Sequence, residues 1–233
     1  MCGRFVLFTT AETLIDAARK LPVPGADRLA APEGTPGPRY NLAPTQIVPV
    51  VHVAERGEQE KSGAGDEGEL VLEPARWGLV PVWKKDETGP TLFNARAETV
   101  AEKPSFRAAF KRRRCLIPMD GYYEWEGKGK PHFVHREGGE LMWAAGLWDT
   151  GLDKVSCTII TTDSAEPIDW LHHRMPRFLA SSEMEAWLTA EPDLARDLLH
   201  PTPEEPRRTF VTRPADPAVG SVRNDYPALL DEQ

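Results

Sequence analysis

The opening residues, Met1-Cys2-Gly3-Arg4-Phe5, carry the most distinctive chemistry in the chain. A small second residue permits removal of the initiator methionine, which leaves Cys2 with a free α-amine. An amino-terminal cysteine is a 1,2-aminothiol, with two nucleophiles on adjacent carbons. Its amine titrates at about 7.7–8.0 and its thiol at about 8.5, so roughly a tenth of the amine is free base at neutral pH. Such an amine can attack an aldehyde to give an imine, and the thiol can then close a five-membered thiazolidine. Alternatively, the thiolate serves as an N-terminal nucleophile with the amine as its base. The competing reading is a small residue standing at position 2 by chance, so other clusters must decide.

Four clusters supply acid/base and anion-binding groups. Asn94-Ala95-Arg96-Ala97-Glu98 ends an apparent strand, and if extended it puts Asn94, Arg96 and Glu98 on one face. Gly121-Tyr122-Tyr123-Glu124-Trp125 alternates, so Glu124 and Trp125 point in opposite directions. In His172-His173-Arg174-Met175-Pro176, the residue before proline is held extended, which lets His172 and Arg174 project together. Residues 76–83, Arg-Trp-Gly-Leu-Val-Pro-Val-Trp, offer aromatic surface. Packing competes for several of these groups: Trp77 and Trp125 as core, Tyr122 and Tyr123 as core, His173 as an exposed neighbour. Lys111 with Arg112, Arg113 and Arg114 reads as a solvated helix end favoured by the helix dipole.

Other chemistries are missing. The chain has no phosphate-binding lysine loop, no GxGxxG after a strand, no HExxH and no GxSxG. His132 and His135 stand three apart in an expected strand and so face opposite sides, a poor metal pair. Cys2, Cys115 and Cys157 are an odd, scattered set that suits neither a disulfide framework nor zinc. Cys115 and Cys157 lie in apolar runs and read as buried small hydrophobes. No cofactor and no metal are therefore expected.

The elements that must position these groups follow from pattern. The 233 residues are 40% hydrophobic and 27% charged, and Gly 18 with Pro 22 point to many turns rather than a helix bundle. Lys+Arg 28 against Asp+Glu 36 gives a charge of −8, which disfavours nucleic-acid coating by bulk charge but leaves room for a local basic groove. No stretch of 18 apolar residues and no signal-peptide core occur, so the expectation is a cytoplasmic monomer with no membrane partner. Thr9-Thr10-Ala11-Glu12 resembles a capping box opening a helix near 10–20. Strands are expected at 47–53, 70–76, 78–83, 91–96, 114–118, 121–125, 131–136, 141–148 and 155–162. Helical patterns fall at about 104–111, 165–171, 181–189 and 192–199. Residues 22–38 read as loop, and the acidic, Gly-rich stretch 55–69 as a solvated hairpin loop or insertion. The fold class is α+β: one domain over 1–233 with an antiparallel β core, distorted and barrel-like, and short peripheral helices.

Seven segments in this order resemble the SOS response-associated peptidase (SRAP) family: Met1 to Phe5, Tyr40-Asn41-Leu42-Ala43-Pro44-Thr45, Arg76-Trp77-Gly78-Leu79, Asn94 to Glu98, Arg114-Cys115-Leu116-Ile117-Pro118, Gly121 to Trp125 and His172 to Pro176. Each motif is weak alone, but the ordered set is specific and spans nearly the whole chain. The resemblance implies single-stranded DNA containing abasic sites as the partner, and a covalent thiazolidine crosslink through Cys2 that shields the lesion from strand cleavage. It implies proton shuttling by Glu124, assistance to sugar ring opening by His172 and positioning of the Cys2 amine by Asn94. Arg4, Arg96 and Arg174 would grip phosphates flanking the lesion, and Pro44, Trp83 and Trp125 would line the groove. Such contacts position DNA without reading its sequence. Two departures stand out: the long acidic stretch, and His173 where family members often carry a carboxylate.

Three functions compete. The first is an abasic-site sensor that crosslinks itself by lyase-like Schiff-base chemistry, any peptidase activity being confined to removal of Met1. The second is a cysteine hydrolase or peptidase using Cys2 with Glu124 and His172. The third is a non-covalent single-strand binder, indifferent to loss of the thiol.

Overall fold

The computed structural model describes residues 3–54, 68–127 and 129–231. Twelve strands form two sheets: β1 (Arg4–Leu7), β2 (Arg39–Leu42), β3 (Ile47–Val53), β4 (Leu70–Trp77), β5 (Asn94–Arg96), β6 (Arg114–Met119), β7 (Gly121–Glu126), β8 (Lys130–Arg136), β9 (Met142–Asp149), β10 (Ser156–Asp163), β11 (Arg174–Pro176) and β12 (Phe210–Pro214). Among the described residues six short helices flank these strands: α1 (Ala11–Arg19), α2 (Ala97–Val100), α3 (Arg107–Arg112), α4 (Met184–Thr189), α5 (Pro192–Asp197) and α6 (Glu204–Arg207). The α+β class is as expected.

The larger sheet closes on itself. β10, β4, β3, β6 and β9 are neighbours in that order, and β9 pairs back onto β10. Within this ring β10 is a seam. Its first half lies between β4 and β9, and its second half between β5 and β11. The pairings of β10 with β4 and with β5 are parallel, and the other pairings between these strands are antiparallel, as expected of the core. The exchange of β4 for β5 happens at Gly78, whose φ of 131° turns the chain out while its N–H still donates to Cys157 O.

The second sheet is open, in the order β12, β8, β7, β1, β2, all antiparallel. Its inner face packs on the ring: Phe5 meets Trp77 edge-on at 5.0 Å and Tyr122 meets Phe178 at 5.9 Å. Its outer face carries Val6, Tyr123 and Phe133, which are covered by Ala215, Val219 and Leu229 of the C-terminal segment. The alternation in β7 is therefore read by two cores, with Tyr122 inward and Tyr123 outward. Gly121 is glycine for a steric reason: a Cβ there would sit 2.4 Å from the Phe133 ring.

Several local expectations shift. The cap of α1 is Thr10, whose hydroxyl accepts from Thr13 N, while the Thr9 hydroxyl donates to buried Asp120. Residues 78–83 are not a strand; Val80 N donates to Ser156 and Val82 N to Asp149, so their apolar burial comes without a ladder. Residues 165–171 are not a helix but isolated turns, such as Ile168 N to Ala165 O and Leu171 N to Ile168 O. Cys115 and Cys157 are fully buried, as expected, and burial pushes both thiols up. Of the acidic stretch, residues 55–67 lie outside the described residues; their flanks close the β3–β4 hairpin, with Ala54 N donating to Glu69 O.

Candidate functional site

Cys2 lies outside the described residues, so its surroundings are defined by the strand that leads to it. β1 runs antiparallel to β7 with Arg4 opposite Tyr123, Phe5 opposite Tyr122 and Val6 opposite Gly121. Continued by one step, that register carries Gly3 toward Glu124. Glu124 shares the inner face with Tyr122 and is buried, its Oε1 accepting from Trp125 N at 3.3 Å.

Asn94 opens β5 on the facing surface. In the parallel ladder it lies beside Ile159, and Arg96 beside Thr161, on the face of β10 that also bears Cys157. Trp77, paired with Cys157, packs on Phe5 and donates its indole N–H to Phe93 O at 2.9 Å. Asn94 and Glu124 thus belong to opposed surfaces of the ring and the open sheet. Arg96 is exposed beyond Asn94. Glu98 does not continue that face, because the chain turns helical at Ala97; it lies in the first turn of α2 instead.

Arg174 enters from the other flank of β10, where it pairs with Asp163. Its guanidinium holds Glu98 through two bonds of 2.6 and 3.0 Å, Asp163 at 2.7 Å and Thr161 O at 2.6 Å. The side chain is only 5% exposed. Burial alone would lower its pKa, but the two carboxylates outweigh that and raise it; in return, the Arg174 bonds hold the Glu98 carboxyl below its usual range. A phosphate can reach this guanidinium only in exchange for Glu98 or Asp163.

His172 is oriented by the backbone of Arg174, whose N–H donates to Nδ1 at 2.9 Å. The Arg174 carbonyl oxygen lies 3.1 Å from the same Nδ1, so the backbone of Arg174 fixes the orientation of the ring through both of its polar groups. The imidazole stacks on His173 at 4.3 Å. Two residues earlier, Trp170 is 54% exposed and meets His132 edge-on at 5.2 Å. His132 is the cross-strand partner of Glu124, so the loop bearing His172 is anchored beside that carboxylate. Sequence reading missed both of these packing arrangements, although an isolated tryptophan before the histidine pair was a usable signal.

The remaining expected residues fall elsewhere. Arg4 and Trp125 lie on the outer face of the open sheet, opposite to Glu124. Arg4 donates to Asn41 Oδ1, Val219 O and Gly220 O, and partial burial lowers its pKa. Pro44 tops the β2–β3 turn, which is pinned by Thr45 N donating to Trp77 O at 2.7 Å. Trp83 is 57% exposed beside exposed Val82 and Lys85. The arginine run is not wholly solvated: Arg113 pairs with Asp149, and Arg114 caps helix ends by donating to the carbonyls of Phe110, Trp187 and Ala190. Among the described residues no three His, Cys, Asp or Glu side chains gather as a metal-ligand set. No helix among them is long and apolar enough to cross a membrane.

The family model for the SOS response associated peptidase (SRAP) matches residues 1–222. The chain belongs to the SRAP family. Among SRAP relatives it is similar to the abasic site processing protein YoqW of Bacillus subtilis, 34% identical over 244 residues that cover 99% of both chains. It is also similar to the abasic site processing protein HMCES of Gallus gallus, 31% identical over 85% of this chain and 67% of the relative. A crystal structure of a Bacteroides thetaiotaomicron protein shares the fold over the full length of both chains, with a TM-score of 0.73 at 23% identity.

Proposed function

We propose that this chain recognises abasic sites in single-stranded DNA and, after removal of Met1, captures them as a thiazolidine through Cys2. The observation that carries this reading is the β1–β7 register leading Gly3 toward Glu124. Cys2 follows one peptide unit away, about 3.8 Å between Cα atoms. The names of the relatives, abasic site processing proteins, support the same lesion.

The steps balance with water as the sole leaving group. The abasic sugar, mostly a closed hemiacetal, opens to its aldehyde as the proton of its anomeric hydroxyl passes to the ring oxygen, a transfer that His172 assists. The Cys2 amine, attended by Asn94, adds to C1′. Glu124 relays a proton to the carbinolamine hydroxyl, which departs as water and leaves the imine. The Cys2 sulfur then adds to the imine carbon while its proton passes to nitrogen. Ring closure removes the C=N bond that would otherwise acidify C2′ and promote β-elimination, so the strand stays intact. Arg4, Arg96 and Arg174 serve the flanking phosphates, Arg174 through the network beneath the surface. Pro44, Trp83 and Trp125 hold unpaired bases along the groove. The protein acts as a monomer without metal or cofactor, and any peptidase activity is confined to removal of Met1.

Denaturing gels with an abasic oligonucleotide test this reading. Wild type is expected to give an adduct without reductant, Cys2→Ser only a trace that borohydride traps, and Cys2→Ala none without borohydride. A reductant-free adduct of equal yield from Cys2→Ala would overturn it.

A further inference from the structure

The Tyr40-Asn41-Leu42 segment has no part in the chemistry above, yet Asn41 is a fully buried polar hub. Its Nδ2 donates to Val219 O at 3.2 Å, Ser221 O at 3.0 Å and Asn224 O at 2.8 Å, all in the C-terminal segment. Its Oδ1 accepts from Arg4 at 3.1 Å. Arg4 reaches the same segment directly, at Val219 O and Gly220 O. Asp225 completes the knot by accepting from Tyr40 N at 2.6 Å and Asn41 N at 3.1 Å and by pairing with Arg39. Beneath these bonds Val219, Ala215 and Leu229 pack on Val6, Tyr123 and Phe133.

Arg4, the first residue of β1 and two positions from Cys2, bonds directly to this knot at Asn41, Val219 and Gly220, and β2, which Asp225 holds, is the strand paired with β1. A short strand end is the part of a sheet most prone to fray, and a nucleophile attached to a fraying end loses its approach geometry. We propose that Asn41 and Asp225 are positioning residues for the crosslinking reaction: they lock the C-terminal segment against β1 and so fix the direction in which the amino terminus meets the lesion. This rests on the crosslinking reading given above. Neither residue touches the DNA or the reacting atoms in this account. Their effect is on the rate of attack rather than on DNA affinity.

The test uses the full chain with Asn41→Ala, Asp225→Ala and Asp225→Asn. Three quantities are measured: the first-order crosslinking rate at saturating abasic oligonucleotide, the affinity for an oligonucleotide bearing a tetrahydrofuran in place of the abasic sugar, and the melting temperature. The tetrahydrofuran has no aldehyde and cannot react. Asn41→Ala and Asp225→Ala are expected to slow crosslinking by about tenfold or more with analogue affinity kept within about threefold. Asp225→Asn is expected to regain most of the rate, because an amide oxygen still accepts from Tyr40 N and Asn41 N. The Asp225 pair carries the test should Asn41→Ala not fold. Variants that crosslink like wild type, or that lose rate and affinity in the same proportion, would overturn the positioning role alone. A wild-type chain that binds the analogue but forms no adduct would overturn the crosslinking reading and this inference with it.

Discussion

Replacing Arg174 by glutamine separates two roles that this residue could play. As placed, the guanidinium is a strut: it joins Glu98 of α2, Asp163 of β10 and the Thr161 carbonyl beneath the surface. Glu98 is 50% exposed and Asp163 75% exposed, so both rehydrate when the arginine is removed, and each bond counts at the low end of its range, about 0.5–1 kcal/mol. The buried bond to Thr161 O adds about 1 kcal/mol. Arg174→Gln should therefore cost about 2–3 kcal/mol, read as a melting temperature lower by about 5–10 °C for a chain of this size. The destabilisation has a defined pH dependence. The Glu98 carboxyl is held below its unfolded value, so its contribution is fully present above that value and disappears as pH falls through the folded one. The gap between wild type and variant should thus narrow below about pH 4. DNA affinity measured against salt gives the second reading. An arginine that directly grips a phosphate of single-stranded DNA adds about 0.7 to the slope of log affinity against log salt, and its replacement subtracts that amount. The strut predicts an unchanged slope with reduced stability; a slope lower by that amount in a variant of unchanged melting temperature would refute the reasoning.

The backbone of Arg174 engages His172 at Nδ1, so Nε2 is the atom proposed to act on the sugar, as a donor. His172→Gln, which keeps an N–H donor, should retain a larger part of the crosslinking rate than His172→Phe, whose loss is expected to reach about 10²-fold; equal rates for the two would remove the donor role. Trp83→Ala should weaken binding of a tetrahydrofuran oligonucleotide by about 1–3 kcal/mol, roughly five- to 150-fold. Since Trp83 is largely exposed, its melting temperature should stay within about 1 °C of wild type, and unchanged affinity would exclude stacking at this position.

The β-branched or aromatic runs at 47–53, 70–76, 114–118, 121–125, 131–136, 141–148 and 155–162 were legible from their composition and the turn residues that bound them, even where, as in β6 and β9, both faces are buried. β1 was not, since it is only four residues long, with Phe5 facing the ring and Val6 the C-terminal cover. β12 escaped notice as an edge strand ending in Pro214. Residues 78–83 misled in the opposite direction: Val80 and Val82 donate their N–H groups to the side chains of Ser156 and Asp149 instead of to a ladder, and Val82 and Trp83 are exposed. For the site, residue types and order carried the family resemblance. What no spacing rule conveys is which face a side chain shares with which, and so the burial of Arg174 and the hub at Asn41 emerged only from the register of β1, β10 and β11.

The central claim is that Cys2 forms a closed covalent ring with an abasic deoxyribose. Intact mass spectrometry of the Met1-processed protein mixed with an abasic single-stranded oligonucleotide tests it most directly. The account predicts a one-to-one species at the summed mass less one water, with the DNA strand whole, stable without reductant and absent for Cys2→Ala. Correctly processed protein that yields no such species, or only cleaved DNA, would contradict it.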